Sequence, residues 1–164
     1  MSAKIQVPFF GVPMTMQMLV VLTLAAISGP KLALLSMGAY LAASFAFPVT
    51  AHPAGLLGPT GVYLVGFLVA TAIVSFAASS EARGPIAFMT RLALMTLGAT
   101  IIYALGLVWL YQFTWFYPDP DGLARLTFER TFEIGLLPFW VKDFVSIIVA
   151  ALIAQGMWQI IPRR

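Results

Sequence analysis

Asp143 is the residue that most invites a chemical reading. It lies in the run Leu136-Leu137-Pro138-Phe139-Trp140-Val141-Lys142-Asp143-Phe144, an acid that follows a lysine in an otherwise apolar stretch. A free carboxylate at mid-membrane depth costs about 2.5–3.5 kcal/mol, so such an acid marks a functional site by default. The plain alternative is an acid near the membrane rim, paired with Lys142 or capping nearby backbone. On a helix, neighbours in sequence point about 100° apart, so Lys142 and Asp143 are not expected to share a face. Ser146, one turn further on, is expected to share it with Asp143.

Other polar groups gather at the starts of apolar runs. Thr15 and Gln17 stand in Val12-Pro13-Met14-Thr15-Met16-Gln17, where a helix N-terminus presents free N–H groups to an anion. Equally, Thr15 could cap that helix and Gln17 bridge two helices. Gly58-Pro59-Thr60-Gly61-Val62-Tyr63 opens another run. Its glycines permit close backbone approach, and Tyr63 adds a ring with a polar tip; the same residues also make an ordinary turn. His52 reads as a histidine satisfied by solvent or backbone, and Arg91 as a basic anchor at the membrane rim or a partner contact. The aromatic cluster Trp109, Tyr111, Phe113, Trp115, Phe116 and Tyr117 reads as an interfacial belt.

What is missing narrows the chemistry. The chain has no cysteine and one histidine, and it has no GxxxxGK[ST], HExxH or GxSxG sequence. Thiolate and zinc sites, P-loop ATP hydrolysis, zincin-type proteolysis and serine hydrolysis are therefore not indicated. A binder is expected rather than an enzyme, with no cofactor, no metal and no nucleic-acid partner.

The elements that must position these groups are membrane helices. Of the 164 residues, 61% are hydrophobic and 9% charged, against about 25% charged in soluble domains. The sequence predicts an all-α polytopic bundle in one domain, with spans at about 14–28, 31–47, 62–80, 86–116 and 137–161 and the lipid bilayer as its surroundings. Gly29-Pro30 is expected to turn the first two spans into a tight hairpin. Pro48 to Gly61 is too rich in proline and glycine for helix, yet almost uncharged, so it is expected to wall a cavity. Leu123 to Gly135 reads as a short amphipathic helix on the interface.

Lysines and arginines orient the bundle. Lys31, Arg83, Arg91 and Arg163-Arg164 fall on one side, and Lys4, Arg125 and Arg130 on the other. The positive-inside rule then places the C-terminus in the cytoplasm and the N-terminus outside. Phe9 to Pro13, the Pro48–Gly61 loop and the start of the last span converge on the outer face, where a ligand would enter.

In chain order, VPMTMQML, ISGPKLALLSMGAYL, GPTGVYLVGF, IYALGLVWL and LLPFWVKDF resemble the BioY family, the biotin-binding S-component of bacterial energy-coupling-factor vitamin transporters. The likeness runs from about Lys4 to the end. It implies a six-helix fold in the cell membrane with a biotin pocket open to the outside. It also implies a transmembrane coupling subunit and two ATPase subunits as partners. Here the family's first helix is represented only by its end, at Ala3 to Val7, so residues 1–13 are expected to be a remnant of that helix and a loop.

In the last span, the family pattern of Gly-Asp followed three residues later by Lys is matched at Asp143, while Lys142 replaces the Gly and Ser146 the Lys. The resemblance implies that Asp143 accepts from the ureido N–H groups and that the bicyclic ring packs on Tyr63, Trp140 and Phe9-Phe10. For the carboxylate tail it leaves Lys142, Thr15, Gln17 and the backbone near Thr60-Gly61 open. The rival readings are an S-component for another vitamin, or a membrane enzyme or structural partner.

Overall fold

The computed structural model describes residues 6–9, 12–47, 57–78, 83–116 and 126–160. Its elements in chain order are β1 (Gln6–Phe9), β2 (Val12–Thr15), α1 (Gln17–Ala46), α2 (Gly61–Ala78), α3 (Pro85–Phe116), α4 (Phe128–Gly135) and α5 (Trp140–Ile160). The two strands pair antiparallel, with Gln6 opposite Thr15 and Phe9 opposite Val12. Within the stretch expected to be a helical remnant and loop, a small β-hairpin is therefore formed, and the first helix begins at Gln17 rather than Met14. Prolines at 8 and 13, directly opposite each other, disfavour helix there while tolerating a short ladder.

Gly29 interrupts α1 with φ 72 and ψ 163, a conformation open to glycine and costly for any residue with a Cβ. The Gln17 amide nitrogen donates to the Tyr40 hydroxyl over 3.1 Å, although the two residues are 23 apart in sequence. A straight helix would separate them by about 34 Å. The break thus folds α1 back on itself, as Gly29-Pro30 predicts. α3 and α5 are long and apolar enough to cross a membrane; α1 is as apolar, but its break divides it into two shorter arms, and α2 is a shorter apolar helix. At 32 residues α3 is about 48 Å long, more than an upright crossing of a ~30 Å hydrocarbon core needs.

Packing follows the logic of a bundle in lipid, with small residues inside and large apolar ones outside. Ala25, Ala26, Ala70, Val74, Ala150, Ala151 and Ala154 are fully buried, whereas Leu32, Leu35, Phe76, Ile86, Val108 and Leu152 face outward. α2 and α3 pack closest: a Cβ on Gly66 would come 2.9 Å from the Ile102 backbone, and one on Gly98 3.1 Å from Ala70. Buried hydroxyls are satisfied locally, Thr71 donating to the Phe67 carbonyl at 2.7 Å and Ser75 to Ala72 at 3.2 Å.

Side-chain hydrogen bonds sort the two ends of the bundle. At the end carrying the Gly29 turn, the Trp158 indole donates to the Ala26 carbonyl at 3.0 Å, and the Gln155 amide to the Gly84 carbonyl at 3.4 Å. At the other end, the Trp109 indole donates to the Gly58 carbonyl at 3.1 Å. Part of the aromatic cluster is consequently interior: Trp109 packs on Phe113, which is buried, while Trp115 and Phe116 stay exposed.

Candidate functional site

Asp143 falls in the first turn of α5, where the helix dipole favours a negative charge. Its backbone N–H donates to the Phe139 carbonyl at 2.8 Å, so the tight turn after Pro138 sets its position. The residue is 6% exposed. Its Oδ2 accepts from the Tyr103 hydroxyl on α3, and its Oδ1 pairs with the Lys142 ammonium. The pairing with Lys142, the plain alternative for this acid, is thus present, although the two residues point to different faces of the helix. Their Cβ directions diverge, but four methylenes let the ammonium curl back onto the neighbouring carboxylate.

Tyr103 is itself held. Its ring meets the Tyr63 ring edge-on, with centroids 6.4 Å apart and planes at 88°. The Tyr63 hydroxyl donates to the Gly135 carbonyl at the end of α4 over 3.2 Å. Its ring lies flat enough on α3 that a Cβ on Gly106 would sit 2.3 Å from it. Four helices, α2, α3, α4 and α5, thereby fix one buried carboxylate. Chemically, the arrangement is an acceptor: an anion with spare lone pairs, one phenol donor and one cation.

The other residues expected to contribute are placed less uniformly. Ser146 is buried beside Asp143, but its hydroxyl donates to the Lys142 carbonyl at 2.9 Å. Trp140 opens α5 with 55% of its surface exposed. Thr60 is exposed, and the Gly61 N–H is engaged by the Gly58 carbonyl at 3.0 Å, so that amide is committed to the turn. Thr15 ends β2, with its side chain outside the described residues. His52, Phe10 and most of the Pro48–Gly61 loop also lie outside them.

Gln17 belongs to a second place. A cavity of about 150 Å³ opens between the arms of α1, lined by Gln17, Ser36, Tyr40 and Thr71 among Val20, Val21, Leu24, Ala25, Ala33 and Met37. Asp143 does not line it. The structure therefore separates two groups of expected site residues: Asp143, Lys142, Ser146 and Tyr63 at the start of α5, and Gln17 in the cavity within α1.

Sequence reasoning passed over Tyr103 and Tyr40. A signal existed, since a tyrosine hydroxyl in the middle of an apolar helix needs a polar partner. Nor did it anticipate the setting of Arg91, which is 1% exposed and donates to the side-chain amide oxygen of Gln155 across the α3–α5 interface. Among the described residues no cluster of three metal-ligating side chains occurs.

Broken and apolar helices around small-residue interfaces, with the buried charges Arg91 and Asp143 each bonded across to a second helix, define a multi-pass helical membrane protein. The family model described as "BioY family" matches residues 1–163, and the chain belongs to that family. It is 32% identical to the "Probable biotin transporter BioY" of Pyrococcus horikoshii, over 95% of this chain and 86% of that protein. With the "Biotin transporter BioY" of Thermotoga maritima it shares 31% identity, over 93% of this chain and 85% of the relative. The fold is similar to the crystal structure of the S-component for biotin from an ECF-type ABC transporter, with a TM-score of 0.70 at 20% identity, covering 93% of this chain and 79% of that one.

Proposed function

We propose that the protein captures biotin at the extracytoplasmic face of the cell membrane, as the substrate-binding subunit of an energy-coupling-factor transporter. The observation that carries this reading is the buried Asp143 carboxylate in the first turn of α5, in a chain of the BioY family. Biotin's head is a neutral cyclic urea with two N–H donors. A carboxylate is the side chain best matched to them, and charge-assisted bonds in a site shielded from water are about twice as strong as neutral ones. Tyr63, packed edge-to-face with the Tyr103 ring that bonds this acid, is the aromatic candidate for the ring system.

Lys142, Ser146, Trp140, Gln17, Thr15, Thr60 and Gly61 are the further candidate contacts. For the carboxylate tail, the Lys142 ammonium is the group within reach of Asp143; the Gln17 amide serves a tail that extends into the cavity of α1. The C-terminus lies in the cytoplasm by the distribution of Lys and Arg. The protein itself does no hydrolysis. Accumulation against a gradient would draw on a coupling subunit and two ATPase subunits.

Equilibrium titration of biotin into the purified full chain tests the reading. Wild type binds biotin tightly and is not displaced by other vitamins, while Asp143→Asn binds about 100-fold more weakly, the loss of roughly 2.7 kcal/mol of charged hydrogen bonding. A folded wild-type protein without biotin affinity overturns it.

A further inference from the structure

The two oxygens of Asp143 are held in unequal ways. Lys142 reaches Oδ1 from the adjacent position, on a flexible arm with 21% of its side-chain surface exposed. Its four-carbon stem has several rotatable bonds, so the ammonium can take another position without either helix moving. Tyr103 reaches Oδ2 from α3 and has no comparable freedom. Its ring is set by Tyr63, and Tyr63 is set at one end by the Gly135 carbonyl and along its face by Gly106. One contact is a latch and the other an anchor.

Orientation matters here because a carboxylate presents its lone pairs in its own plane. A single flexible partner would leave that plane free to turn about the side-chain torsion, which is broad in aspartate. A rigid phenol on Oδ2 removes the freedom. It still leaves Oδ1 with two acceptor directions and Oδ2 with one.

Resting on the biotin-binding reading above, we infer that Tyr103 is a positioning residue for substrate recognition. Its hydroxyl anchors Oδ2 and sets the Asp143 carboxylate plane, so that Oδ1 meets an N–H of the cyclic urea when Lys142 moves aside. Tyr103 acts through Asp143 and is not required to touch the substrate.

The test is a double-mutant cycle on the purified full chain: wild type, Tyr103→Phe, Asp143→Asn and the double variant, each titrated with biotin and each checked for folding by thermal unfolding. Tyr103→Phe is expected to weaken biotin binding about 10-fold in the wild-type background and less than about 2-fold in the Asp143→Asn background. Should Tyr103→Phe fail to fold, Tyr103→Met completes the same cycle. A biotin analogue methylated on both urea nitrogens gives a second readout, since wild type and Tyr103→Phe should bind it equally weakly. Equal losses in both backgrounds would mean that the tyrosine acts by packing, and would overturn the inference. So would an unchanged affinity in Tyr103→Phe while Asp143→Asn is impaired, and that result leaves the biotin reading standing. Absence of biotin binding by the wild type overturns both.

Discussion

Two charges are buried where α3 meets α5, one near each end of the bundle, and they are handled differently. At the end carrying the Gly29 turn, the charge belongs to α3: Arg91 is 1% exposed and donates to Gln155 on α5, and the Gln155 amide donates on to the Gly84 carbonyl just ahead of α3. The contacts close into a loop between the two helices. At the other end, the charge belongs to α5: Asp143 is held by Tyr103 from α3 and by the partly exposed Lys142. That set includes one partner on a flexible arm from the same helix. A closed polar contact straps helices together, whereas a charge with one exchangeable partner keeps the capacity to accept a new one.

The contrast is sharpest in the response of binding. Asp143→Asn should lower biotin affinity about 100-fold, while Arg91→Gln, which keeps a donor at the strap, should change it less than about 3-fold when both are titrated under the same conditions. An equal loss at Arg91 would erase the distinction between strap and site.

Stability should separate the ends in the opposite sense. Gln155→Leu takes an acceptor from a buried guanidinium and is expected to cost about 2 kcal/mol in thermal or denaturant unfolding, with biotin affinity kept in the folded fraction. Gly106→Ala should cost a similar ~1–3 kcal/mol and, unlike Gln155→Leu, also weaken binding, because the new methyl group displaces the Tyr63 ring that steadies Tyr103. Tyr40→Phe removes the neutral hydrogen bond from Gln17 between the arms of α1 and should cost about 1 kcal/mol. The smallest effect is expected at Arg130→Ala. Its ion pair with Glu133 on α4 is 2.6 Å long but 61% and 43% exposed, so unfolding should shift by less than about 0.5 kcal/mol.

Much of the bundle was legible because lipid imposes a one-dimensional rule. Long uncharged runs had to be helices, Gly29-Pro30 had to turn, and an acid at 143 had to be accounted for. The N-terminal stretch, expected to be a helical remnant and a loop, departs from this for a related reason: Pro8 and Pro13 sit opposite each other in a two-stranded ladder, and strand pairing is set between segments and not along one of them. Arg91 was misread because a long basic side chain near a helix end can either reach water or find an acceptor on a neighbouring helix. The α3–α5 contact with Gln155 decides which.

From composition and spacing alone follow the class, the helices, the break in α1 and an acid in an apolar span. These are local properties, set by each residue's own transfer cost and backbone preference. The partners of that acid are not local. Tyr103 lies 40 residues before Asp143, and Tyr63 another 40 before that. Only the packing of α2 and α5 against α3 brings the three together, because a hydrogen bond depends on atoms meeting within about 3 Å and sequence distance carries no such length.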